Sequence, residues 1–189
     1  MEKLDPRHTA LVLIDLQKGI LPFAGGPHSA ADVLDKAILL TRRFHALGAP
    51  VVRVRVGWSA DGGDLLRQTV DQPLGNMTLP ADWLDIPEQL GVIDSDILVT
   101  KRQWGAFYGT ELELQLRRRG IEQFVIGGIS TNIGVESTAR HGWELGFGLI
   151  FAEDAMSASN GEQHGFAVKN IFPRLGRVRS TAQILDMLS

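Results

Sequence analysis

The sequence predicts an α/β fold: a three-layer αβα sandwich around an open, mainly parallel sheet. Two observations carry that prediction. Short apolar, β-branched runs recur along the chain, and most are separated by stretches with helical spacing, the alternation that parallel strands joined by crossover helices require. The runs are also nearly all apolar, as strands covered on both faces should be. With 189 residues, 44% hydrophobic and 22% charged, the chain is expected to form a single domain over residues 1–189 with a sizeable core.

The first strand is Thr9–Leu16 (TALVLIDL), ending at Asp15. A carboxylate there either caps the following turn or faces the crevice where open α/β sheets bind ligands. Pro22–Ser29 is a breaker-rich loop carrying Phe23 and His28, and Ser29–Leu47 follows as a helix stopped by Gly48. Val51–Val56 (VVRVRV) is the second strand; its alternating arginines place it near an edge or give it one polar face. Gly57–Ser95 is too long for a simple loop and is expected to cross the site edge with short helices at Asp64–Gln68 and Pro87–Leu90. The third strand, Ile97–Thr100, leads directly into Lys101, and Thr110–Arg119 is an amphipathic helix ended by Gly120.

The central stretch is FVIGGISTNIGVESTAR, residues 124–140. A buried strand runs into Gly127 and Gly128, then three potential N-caps (Ser130, Thr131, Asn132), then a helix from Val135 to Leu145. Free backbone N–H groups at such a helix start form an anion or oxyanion site. The turn lacks the closing glycine of G-x-S-x-G and the spacing of G-x-G-x-x-G. Beyond it come a fifth strand at Gly148–Ala152, a helix at Glu162–Ile171, a sixth strand at Arg177–Arg179, and a last helix capped by Ser180 or Thr181.

Composition excludes several function classes. A net charge of −3 gives no electrostatic case for nucleic acid, and no apolar run reaches the roughly 18–20 residues of a membrane span. The start, MEKLDPRHTA, has no signal-peptide pattern, so a cytoplasmic location is expected. Zero cysteines rule out disulfides, thiolate metal sites and thiol catalysis. The five histidines are scattered with no i,i+4 pair, so neither a metal nor a cofactor is expected.

Four pieces in order resemble the isochorismatase-like hydrolase superfamily: LVLIDLQ with Asp15 and Gln17, Lys101 in VTKRQWGAFYGTELELQLRRRG, the turn GGISTNIGVESTAR, and Asp154-Ala155 in AEDAMSA. The resemblance implies a six-stranded sheet of order 3-2-1-4-5-6, a homo-oligomer (dimer or tetramer), and a non-proline cis peptide at Ile129–Ser130. It also implies a catalytic constellation of Asp15, Lys101 and position 134, where most relatives carry a nucleophilic cysteine. Here that position is Gly134, which removes the acyl-enzyme route of the amidase members. Ser130, Thr131 and Ser137 lie nearby, but no histidine base is identifiable for them. The D-x-H zinc motif of nicotinamidase relatives is replaced by Gly57-Trp58-Ser59.

Some members of the superfamily hold glycine at this position, the isochorismatases proper and the related phenazine-pathway hydrolase; the resemblance to them implies vinyl-ether cleavage without an enzyme nucleophile, an aspartic acid protonating the substrate's methylene carbon. The expectation is therefore a hydrolase of a small anionic metabolite, with Asp15 as acid; the alternative is a non-catalytic ligand-binding or assembly protein of the same fold. Ser130, Thr131, Gln17, Phe23, Trp58, Trp104 and Phe107 are candidate substrate contacts, with core or oligomer packing the competing role for the aromatics. One tension follows from the chemistry: an acid must be protonated, yet an adjacent Lys101 ammonium favours an ionised Asp15 unless burial outweighs it.

Overall fold

The structure, a computed structural model, describes residues 3–73 and 78–188. Its sheet is built from β1 (Thr9–Ile14), β2 (Val51–Val56), β3 (Ile97–Lys101), β4 (Gln123–Ile129), β5 (Gly148–Ser157) and β6 (Arg177–Arg179). The strand order is β3-β2-β1-β4-β5-β6, and every neighbouring pair is parallel. The order reverses between β1 and β4, so the carboxyl ends of these two strands flank the crevice where such sheets bind ligands.

Alternate residues of the central strands feed two separate apolar layers. Val12, Ile14, Val54, Phe124 and Ile126 pack under α2 (Leu112–Arg118), α3 (Glu136–Glu144) and α5 (Phe172–Leu175). Leu11, Leu13, Val125 and Ile150 pack under α1 (Ala30–Ala46) and α6 (Thr181–Met187). Both helices of the second layer start on capping boxes, Ser29 with Asp32 and Ser180 with Gln183. β2 lies one strand in from the edge, and Arg53 is buried there with Nε in an ion pair with Asp96 at 3.0 Å and Nη2 donating to the Leu90 carbonyl.

Three expectations need correction. Asp64–Gln68 is a turn, not a helix: Asp64 accepts from the Ser59 amide and hydroxyl and from Arg102, bonds that close a loop rather than extend a helix. Thr131–Val135 is already a π-helical turn, so the helix reaches four residues further back than the apolar pattern showed and Gly134 lies inside it. β5 extends to Ser157 because its partner register jumps: Ile126 faces Phe151 but Gly128 faces Met156, so two steps along β4 match five along β5. The bulge lifts Glu153 and Asp154 out of the regular ladder.

Candidate active site

The two glycines after Ile126 are forced by their neighbours. A Cβ on Gly127 would sit 2.8 Å from the Ala155 carbonyl oxygen of the bulge, and one on Gly128, at φ +131, would sit 2.1 Å from the Ile14 carbonyl oxygen. Only glycine lets β4 pass this close to β1 and β5, and that passage sets Ile129 and the following turn against the end of β1. The Ile129–Ser130 peptide is cis, as the family resemblance implied, and Ser130 accepts through its carbonyl from the Ile133 and Val135 amides.

Asp15 stands immediately after β1 with φ 53, its amide donating to the Val54 carbonyl. Lys101, the last residue of β3, reaches across β2 and donates from Nζ to Asp15 Oδ2 at 2.7 Å and to the Gln103 carbonyl at 3.0 Å. Both side chains are buried, Lys101 at 1% and Asp15 at 7% exposure. Gly134 closes the group: a Cβ there would lie 3.2 Å from Asp15 Oδ2, 3.0 Å from Ile14 Cγ2 and 3.5 Å from the Trp104 carbonyl oxygen. Thr138 ties the two sides together, donating to the Gly134 carbonyl at 2.7 Å and accepting from the Ala106 amide at 3.1 Å.

Desolvation decides the electrostatics. Burial pushes the Asp15 carboxyl up to about 6, against the pull of the Lys101 ammonium, which acts in the opposite direction both through space and through the hydrogen bond. Asp15 Oδ2 is occupied by Lys101, whereas Oδ1 is buried without a hydrogen-bond partner among the described residues. A carboxylate with one buried, unpartnered oxygen is costly; the same group carrying a proton on Oδ1 is a positioned acid.

The remaining candidates separate. Gln17 is fully buried and clamps the loops: its amide donates to the Val56 and Trp83 carbonyls and its oxygen accepts from the Val56 amide. Both amide protons are therefore spent on backbone, which gives Gln17 a scaffolding role. Phe107 packs in the core against Phe124 and Phe147. Trp58 donates to the Arg102 carbonyl and leans on Trp83. Trp104 and Phe23 are exposed, and Ser130 is half-buried in the turn itself. Asp154 accepts from the amide and hydroxyl of Thr181, capping the last helix rather than entering the site. Thr131 is buried, and its hydroxyl meets His164 Nδ1 at 2.9 Å, so the histidine that sequence spacing did not reveal is supplied by α4 (Gly161–Phe166).

Two further features were invisible in sequence. Asn132 Oδ1, in the same turn as Gly134, is buried and unpartnered among the described residues. His28, Glu153 and His164 converge although 125 and 11 residues separate the two bonded pairs. Neither has a local pattern: Asn132 is buried by the turn it belongs to, and the cluster depends on the bulge and the loop that packs beside it.

Comparison with known proteins agrees with this architecture. A family profile described as the isochorismatase domain matches residues 9–183. The chain is 59% identical over 188 residues to YecD of Escherichia coli O157:H7, an isochorismatase family protein, with full coverage of both chains. It is 30% identical over 205 residues to the ureidoacrylate amidohydrolase RutB of Pantoea ananatis, covering 96% of this chain and 82% of that one. An isochorismatase family protein of Burkholderia thailandensis superposes with a TM-score of 0.93 at 41% identity, covering 100% of this chain and 98% of the other. The profile match over residues 9–183 and the identity to YecD along the whole chain make this protein a member of the isochorismatase family of hydrolases.

Proposed function

We propose that the protein hydrolyses a small anionic metabolite by acid catalysis, with a vinyl ether as the substrate class and no covalent nucleophile. The observation that carries this reading is the state of Asp15: one oxygen held by Lys101, the other buried and unpartnered, and burial raising its proton affinity. In the reaction, the proton on Oδ1 goes to the terminal methylene carbon of the vinyl ether. The C=C electron pair forms the new C–H bond and an oxocarbenium ion results. Water adds to that cation, loses a proton, and the hemiketal collapses to a ketone and an alcohol, leaving Asp15 to be reprotonated.

Lys101 Nζ has a third proton beyond the two it gives to Asp15 and Gln103, and the amides of Thr131 and Asn132, the first two of the helix, precede any carbonyl of their own turn that could accept from them. Both suit a substrate carboxylate, and a carboxylate beside Lys101 would weaken its hold on Asp15 and favour the protonated acid. Gly134 leaves no side chain between these groups, and the absence of cysteine removes the thiol route.

The test is incubation with isochorismate, with pyruvate followed by a lactate dehydrogenase coupled assay. Wild-type protein should release pyruvate and Asp15→Asn should not. Wild-type protein that binds the anion without turning it over would favour a ligand-binding role for the same cleft.

A further inference from the structure

Beyond the Asp15–Lys101 constellation, a second group of chemically capable side chains has no part in the proposed reaction. His28 Nε2 and His164 Nε2 each lie 3.2 Å from the same oxygen, Glu153 Oε1. Their rings stand edge to face, 84° apart with centroids at 5.6 Å, so both nitrogens converge on one point instead of stacking past each other. All three ligand atoms lie within 4.8 Å of one another. A tetrahedral shell with bonds of about 2.1 Å puts neighbouring donors roughly 3.4 Å apart, so small side-chain rotations bring these three atoms onto a single ion.

We propose that His28, Glu153 and His164 bind one divalent transition metal ion of the Zn²⁺ type, with at least one coordination position left open. The donor set of two imidazoles and one carboxylate suits such an ion, and a single carboxylate leaves a net positive charge on the filled site. Its supports are built in. His164 is buried and its second ring nitrogen is held by the Thr131 hydroxyl at 2.9 Å, the kind of outer contact that fixes a ligating imidazole. Glu153 is raised into place by the β5 bulge. The loop bearing His28 is stitched to the end of β5 by Gly26 and Ala158, which exchange amide–carbonyl bonds, and by the Ser157 hydroxyl donating to the His28 carbonyl. His28 and Glu153 remain partly exposed at 28% and 33%, which gives the ion an entry path. The filled site would fasten that loop, the bulge, α4 and, through Thr131, the turn that contains Gly134.

The experiment titrates metal-free protein with Zn²⁺ by calorimetry and follows imidazole nitrogen resonances. The expected result is one Zn²⁺ per chain, with the Nε2 signals of His28 and His164 moving while those of His8, His45 and His141 do not. Zn²⁺ in hundredfold excess over its dissociation constant should raise Tm by about 5–10 °C. His28→Ala and Glu153→Gln, both on the open rim, should abolish one-to-one binding with circular dichroism unchanged. Thr131→Val should weaken binding by about 10–100-fold. No binding by wild-type protein, stoichiometric binding that survives both rim substitutions, or shifts confined to the other three histidines would overturn the proposal. None of these readouts depends on turnover, so the outcome is separate from the fate of the vinyl-ether reading.

Discussion

Asp15→Asn tests the electrostatics of the site without requiring a substrate. The folded-state value for Asp15 is about 6 against an ordinary 3.8, because desolvation exceeds the attraction of Lys101. The sign follows directly: the folded protein keeps a proton that the unfolded chain releases between about pH 4 and 6. Unfolding free energy therefore falls as pH rises through that window and is flat, on this account, above it. A difference of about two pH units is worth about 3 kcal/mol. Asparagine mimics the neutral acid and cannot ionise, so the variant should gain about 3 kcal/mol on wild type between pH 4 and pH 7. Urea denaturation of both proteins at four pH values measures it. A stability difference that stays constant, or one that moves in favour of wild type as pH rises, would mean that the attraction of Lys101 cancels or exceeds desolvation and that Asp15 holds its proton no better than an ordinary carboxyl. The acid mechanism would fall with it. The kinetic counterpart is a kcat/KM that is level below pH 6 and declines tenfold per pH unit above it.

Lys101→Met removes the charge that holds Asp15 down, so the descending limb of the pH–rate profile should move to higher pH while KM for an anionic substrate rises. Gly134→Cys should lower vinyl-ether turnover on the order of 10–100-fold, since its Cβ must push against Asp15 Oδ2 and Ile14; steady-state kinetics on the same substrate decides it. Thr138→Val leaves the Ala106 amide and Gly134 carbonyl without their shared hydroxyl and should cost about 1–3 kcal/mol in chemical denaturation, with little change in the cooperativity of unfolding.

The strands were legible because each central one is a short apolar run bounded by breakers; their order came only from the family resemblance carried by the motifs around Asp15, Lys101 and Gly134. The convergence of Asp15 with Lys101 could be anticipated from strand ends and family resemblance together. The bulge in β5 could not: its residues Glu153 and Asp154 look like a strand terminus, and only the register of β4 shows that the strand resumes. The histidine cluster was hidden for the same reason, since His28 and His164 come from a loop and a helix brought together by that resumed pairing. Gln17 illustrates a different limit. Its place in a family motif suggested the substrate, whereas its amide is used to hold backbone carbonyls of two other segments.

That clamp bears on how such a protein changes substrate. The segment leaving β2 is pinned at its near end by the clasp of Ser59, Asp64 and Arg102, and at its far end where Gln17 and the Gly19 amide grip the Trp83 carbonyl. Both anchorages lie outside the strand ends: Asp15 and Lys101 keep positions set by β1 and β3. The Asp15–Lys101 pair and the segment between these two anchorages therefore rest on different elements, so a change in that segment need not displace the pair.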